Sequence, residues 1–166
     1  MNLQKGVIGN TVANIMGSLL ISTIHSAIMA RAKQHHHERR TVALYVDEFQ
    51  SFATLSLAQL LSEARKYGLQ VTLAIQFLDQ LKPEVTSAIL GNVGTLISFR
   101  VGHTDAQILA PDFDIHTRML TDQSPFHARM KCDLNLHSLA TVPFEPGTTN
   151  RTESIITQSR RRFSRS

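Results

Sequence analysis

Tryptophan is absent from the 166 residues, cysteine occurs once, at Cys132, and aromatic residues make up only 6%. A lone cysteine excludes an intramolecular disulfide, so burial and hydrogen bonding must hold the fold, which suits a reducing compartment. Charged residues are also sparse, at 18% against 42% apolar residues. That balance excludes a chain kept disordered by charge and leaves enough apolar surface for one ordinary core. Long uninterrupted hydrophobic runs are missing too. The apolar stretch 12–32 is broken by Asn14, Ser18, Ser22, Thr23, His25 and Ser26, which predicts a buried helix rather than a membrane segment. It also lacks the early positive charge and cleavage pattern of a signal peptide. A cytoplasmic setting is expected, with any inner-membrane anchor of an intact parent lying outside this chain.

Excess charge is confined to one end. The formal net charge is +4, and Arg160, Arg161, Arg162 and Arg165 account for all of it, so the body of the chain is balanced. Charge therefore gives the body no nucleic-acid footprint. Residues 145–166 form a basic, flexible tail in this reading. Its SRRRFSRS end can contact DNA or acidic lipid, but such untethered ends more commonly serve only to solubilise.

What is present is a repeating pattern. Gly6 and Gly9 make a turn, and Asn10 or Thr11 is placed to cap a helix to about Ala32, with apolar residues at three- and four-residue intervals. TVALYV, apolar or β-branched without alternation, predicts a strand covered on both faces. A helix over LAQLLSEARKYG, ended by Gly68, leads to a second buried strand, QVTLAI. Next come a helix near 83–90, a third strand in TLISFRV, short helices over 104–110 and 115–120, and FHARMKC as a strand, suited to a sheet edge. Turn formers dominate from Pro143, with a short helix near 153–161. Helices alternating with buried strands predict an α/β fold over 1–144, a three-layer α/β/α sandwich with a mostly parallel sheet.

LYVDEFQ carries the chemistry. Its apolar run places Asp47 and Glu48 at the carboxyl end of a buried strand, where α/β proteins put their ligands. In a Walker B arrangement Asp47 holds Mg²⁺ through water, because a hard dication wants oxygen ligands and keeps much of its hydration shell. Glu48 then orients and deprotonates the water that attacks a γ-phosphate. Adjacent acids in a βα loop are also common as solvated or helix-capping groups, and on the acids alone that plainer reading is the commoner. Gln76, a lone polar residue ending the next strand, can equally be a phosphate sensor or an amide capping the following helix.

The run LYVDEFQSFAT, LSEARKYGLQVTLAIQFLDQL and ILGNVGTLISFRVGHTDA resembles the C-terminal half of the motor domain in the HerA/FtsK superfamily. Within it the nearest likeness is to the TraG/TraD-class coupling proteins of conjugation and type IV secretion. NLQKGVIGNTVANIMGSLLISTIHSAIMARA resembles the segment before Walker B, so the likeness spans roughly residues 2–144, with several motifs in order. It implies an incomplete RecA-like P-loop NTPase fold, with Asp47 and Glu48 as the Walker B pair and Gln76 as the strand-end sensor. The family works as a ring hexamer in which an arginine reaches the neighbour's nucleotide. Arg100 is the first candidate for that finger and Arg65 the second, since a planar guanidinium meets phosphate oxygens bidentately. Each also has a plainer reading, as an exposed strand-end or helix residue. The implied partners are DNA, held through its phosphates without sequence readout, other subunits, and conjugation or secretion proteins.

One departure matters. No G-x-x-x-x-G-K-[ST] occurs in the sequence, and in QKGVIGN the lysine precedes the glycines. In the family the P-loop lies well upstream of where this chain starts. ATP and Mg²⁺ are thus expected only with a complementing P-loop segment, and the sheet is expected to carry an uncovered edge. Two readings result: the distal half of an ATP-driven DNA translocase, unable to hydrolyse ATP alone, or a non-catalytic module docking on a coupling-protein ring or relaxosome component. His35, His36 and His37 cannot all face one ion and suit a surface loop. Cys132 suits a buried thiol.

Overall fold

The computed structural model describes residues 9–53, 55–142 and 151–163. Helix α1 (Asn10–Met29) begins after Gly9, whose φ of 80° favours glycine, and no side chain caps it; the sequence reading had given that role to Asn10 or Thr11. Three of the polar residues that interrupt its apolar run bond back into the helix: Ser22, Thr23 and Ser26 each donate to the carbonyl four residues earlier. Ala13, Gly17, Ile21 and Ile28 form its buried stripe. Val12, Ile15, Met16, Leu19 and Leu20 are exposed, so the helix is covered along one stripe rather than buried as expected. It is apolar on more than one face, and the described residues supply a partner for only one of them. By length and composition alone, residues 11–33 would suffice to cross a membrane.

Gly17 is where α1 meets Phe52: a Cβ there would fall within the contact radius of the Phe52 ring. Gly17→Ala gains about 1 kcal/mol of helix propensity but loses about 1–3 kcal/mol to overpacking. A net fall in the urea midpoint is the expected result.

Strand β1 (Val42–Val46) is followed by a 3₁₀ turn at Phe49–Ser51, helix α2 (Leu55–Glu63), a second 3₁₀ turn at Ala64–Tyr67, and strand β2 (Leu69–Leu73). β1 and β2 pair in parallel, from Val42 opposite Leu69 to Val46 opposite Leu73. Gly68, at φ 73°, makes the turn into β2 as the sequence predicts. The expectation of coverage on both faces does not hold. Val42, Leu44 and Val46 are half-buried, whereas Ala43 and Tyr45 face outward, Tyr45 at 75% exposure. An apolar run records that both faces can be covered, while actual cover needs a second layer.

Helix α3 (Pro83–Asn92) starts with Pro83 in its first turn, where a missing N–H costs nothing. There follow β3 (Thr95–Ser98), α4 (His103–Phe113), α5 (Arg118–Thr121), β4 (His127–Cys132), β5 (Asn135–Ala140) and α6 (Thr152–Phe163). β3, β4 and β5 form an antiparallel sheet in that order, with Ile97 opposite Met130 and Met130 opposite His137. The observed fold is thus mixed α/β with two small sheets, a parallel pair and an antiparallel trio. This corrects three expectations: TLISFRV is strand only to Ser98 and joins no parallel neighbour, FHARMKC is a central strand, and NLHSLA is a strand the sequence reading missed. A two-residue turn with Asp133 at φ 52° closes the β4–β5 hairpin, and such local closure costs less chain entropy than distant parallel pairing.

One core joins the two sheets. Phe49, Leu60, Val85 and Leu120 are its largest fully buried side chains, with Ile21, Leu69, Ala106 and Phe113 around them. Every described side chain of α6 is exposed.

Candidate functional site

The β1–β2 ladder continues past the formal strand ends. Ala74 N–H donates to Val46 O at 2.9 Å, and Phe49 N–H donates to Ala74 O at 3.0 Å. Phe49 itself is fully buried. Asp47 and Glu48 therefore sit between two anchored residues, which hold them at the strand's carboxyl end while both stay exposed. Glu48 N–H donates to Asp47 Oδ1 at 2.9 Å. Glu48 adopts a left-handed backbone, φ 51° and ψ 42°, a conformation that costs an L-residue about 1–2 kcal/mol. Strain of this kind concentrates where geometry serves a function.

Gln50, which the sequence reading passed over, bridges the two candidate elements. Its Nε2 donates to Glu48 Oε2 at 2.7 Å, and its Oε1 accepts the Gln76 N–H at 3.4 Å. Glu48 and Gln76 are thus brought together across the parallel pair through a third side chain. Asp105, in the first turn of α4, is a second residue the reading left without a role. It is buried, and its carboxylate accepts the N–H groups of Leu78 and Asp79, each at 3.3 Å, which pins the segment leaving Gln76. Its acidic character in the first turn of a helix was the available signal. Asp105→Ala leaves the Leu78 and Asp79 amides without this acceptor, and a loss of about 1–3 kcal/mol is expected. Chemical denaturation measures it, with an Asp105→Asn variant recovering part of the loss.

The two arginines make no hydrogen bond to this cluster among the described residues. Arg65 belongs to the 3₁₀ turn that precedes β2, at the end of the parallel pair opposite the acids. Five residues at about 3.3 Å each put that turn roughly 17 Å from the strand's carboxyl end. Nearby arginines at that end are structural: Arg31 donates to the Arg40 and Tyr67 carbonyls, and Arg39 stacks over Tyr67 at 5.2 Å. Arg100 follows β3 in a segment fixed on both sides. Gln123, buried, donates to Ser98 O at 3.1 Å, and Val101 N–H donates to Leu120 O at 3.3 Å. Both Arg65 and Arg100 are exposed.

No group of three or more His, Cys, Asp and Glu side chains gathers to hold a metal among the described residues. His35 and His37 stack at 5.7 Å on the exposed surface. Cys132 is half-buried and accepts from Thr95 Oγ1 at 3.6 Å. The Asp47–Glu48 pair suits a water-mediated Mg²⁺, which takes one or two carboxylates and completes its shell with water and phosphate. Asp47 Oδ2 accepts no hydrogen bond among the described residues, so it is open to that role.

The acids at the end of one parallel strand, with Gln76 just beyond the end of the next, form a candidate strand-end site in an α/β fold. Residues 41–111 match a family model described as the TraM recognition site of TraD and TraG, and that span holds Asp47, Glu48, Gln50, Arg65, Gln76, Arg100 and Asp105. No curated protein sequence gives a significant match. Among solved structures, VirB4 of Thermoanaerobacter pseudethanolicus is similar in fold, with a TM-score of 0.60 at 13% identity. The likeness covers 84% of this chain and 40% of that one, so the chain spans less than half the length of that relative. Over residues 41–111 the chain is thus similar to the TraD/TraG family, and in fold it is similar to VirB4.

Proposed function

We propose that this chain is the Walker B and sensor-bearing part of a coupling ATPase of conjugation or type IV secretion, acting on DNA within a ring of subunits. The observation that carries the reading is the cluster of Asp47, Glu48, Gln50 and Gln76 at the carboxyl end of a parallel strand pair. Bound Mg²⁺ would neutralise charge on the β- and γ-phosphates. Asp47 would hold its water shell, Glu48 would accept the proton of the attacking water, and Gln76 would sit against the γ-phosphate or that water. Arg100, or failing it Arg65, would serve the neighbouring subunit's nucleotide. In this reading the parallel pair and the antiparallel trio are parts of one larger sheet in a three-layer sandwich.

Phosphate donors are what the chain lacks, since no glycine-rich Lys-Ser/Thr loop occurs in its sequence. Carboxylates without such donors repel a polyphosphate. The test is Mg-ATP binding and turnover by the purified chain with single-stranded DNA, alone and with an added P-loop-bearing segment of the same family. Turnover only in the complemented sample is the expected result. Turnover by the chain alone, abolished in Glu48→Gln, would overturn the fragment reading, and no turnover in either sample would favour the second reading below.

Both sheets have open edges. Among the described residues β2 pairs only with β1, and β3 only with β4, so each has a free edge. Together with the exposed apolar face of α1, these edges favour association. The isolated chain is expected to run as oligomers or aggregates in size exclusion, and Leu19→Lys to increase the monomer fraction. A wild-type chain that is monomeric with a cooperative melt would count against this.

A second reading is favoured by the description of the matched model: a docking module for a relaxosome component. Binding of a purified relaxosome protein, unchanged in Glu48→Gln and independent of ATP, would support it.

A further inference from the structure

We infer that Gln50 is a positioning residue that links the Glu48 carboxylate to the backbone of Gln76, so that the state of one is felt at the other. The inference rests on reading Glu48 as the water-activating acid. Gln50 stands two residues after Glu48, in the 3₁₀ turn Phe49–Ser51, and Phe49 anchors that turn in the core. Its side chain is half-buried and uses both ends of its amide: Nε2 at 2.7 Å from Glu48 Oε2, Oε1 at 3.4 Å from Gln76 N.

An amide is the group this place requires. The amide of Gln carries a donor and an acceptor on one rigid plane, so a rotation that releases one contact releases the other. The donor end meets a charged acceptor and forms the shorter, stronger bond; the acceptor end meets a neutral N–H at the long limit of hydrogen bonding. The weaker contact is therefore the one that responds when the stronger is disturbed. Glu48 Oε2 is occupied by Gln50, which leaves Oε1 for a water and restrains the turn of the carboxylate. When the carboxylate turns toward water, Gln50 loses its anionic acceptor. The Gln76 amide, at the root of the candidate sensor, then loses its partner as well.

The experiment is amide NMR on the full chain, reading the Gln50 side-chain NH₂ and the Gln76 backbone N–H in a two-by-two set of variants. Glu48→Ala should shift both signals and speed exchange of the Gln76 amide. In a Gln50→Met background, which keeps length and volume but removes the amide, Glu48→Ala should leave the Gln76 signal in place. Gln50→Ala serves as the second background should the methionine alter the fold. A Gln76 shift of equal size with and without the Gln50 amide would overturn the inference, as would no shift in either. Mg²⁺ alone, added to the wild-type chain while the Asp47 and Glu48 carboxylate carbons are observed, is the separate arm. Failure of that arm would count against the Walker B reading and leave the coupling result standing.

Discussion

Glu48→Gln should lower ATP turnover of the complemented protein by about 10²–10⁴-fold, the usual contribution of a positioned general base. Glutamine keeps the length of glutamate and one acceptor oxygen, so the 2.7 Å contact from Gln50 can persist while the base is lost. Nucleotide binding should therefore survive: the measurement is kcat falling with little change in KM. Asp47→Asn should differ, weakening Mg²⁺ dependence first, because the role proposed for it is to hold the ion's water shell. If Glu48→Gln left kcat within a few-fold of wild type, the base would lie elsewhere, and the acids would fall back to solvated groups in a βα loop.

Phe49→Ala should be the most damaging single change to the fold of this region. The side chain is fully buried, directly follows the two acids, and packs in the cluster with Leu60, Leu69 and Val85. Truncating a buried phenylalanine costs about 3–5 kcal/mol, a large share of the 5–15 kcal/mol that holds an average domain. Chemical denaturation should show the midpoint fall sharply or the cooperative transition vanish. Phe49→Leu, which keeps most of the volume, should retain a transition. Since the Phe49 N–H also closes the ladder onto Ala74 O, a difference between the two variants reports side-chain packing, with that backbone bond common to both. Loss of the anchor would also free Asp47 and Glu48 from the strand end, so the milder variant is the one in which site geometry can be studied.

The parallel pair and its acids were legible from sequence because the signals are local. An apolar run that stops at Asp47 and Glu48, a glycine at position 68 with positive φ, and a second apolar run ending before Gln76 each act over a few residues. Near-neighbour sterics and burial period fix such features whatever the rest of the chain does. By itself the sequence determined β1, β2, the helices near their expected places, and the position of the acids at a strand end.

Tertiary structure decided the contacts between distant segments. Gln50 meets Gln76 across 26 positions and Asp105 meets Leu78 across 27, and no local pattern marks either pair. The third strand of the antiparallel trio was equally hidden: in NLHSLA Leu136 and Leu139 do not alternate with period two, and it becomes a strand because the turn at Asp133 folds it onto β4. The bare faces of Tyr45 and of α1 belong to the same class. Apolar periodicity states which faces can be buried, and only the partners actually present decide which of them are.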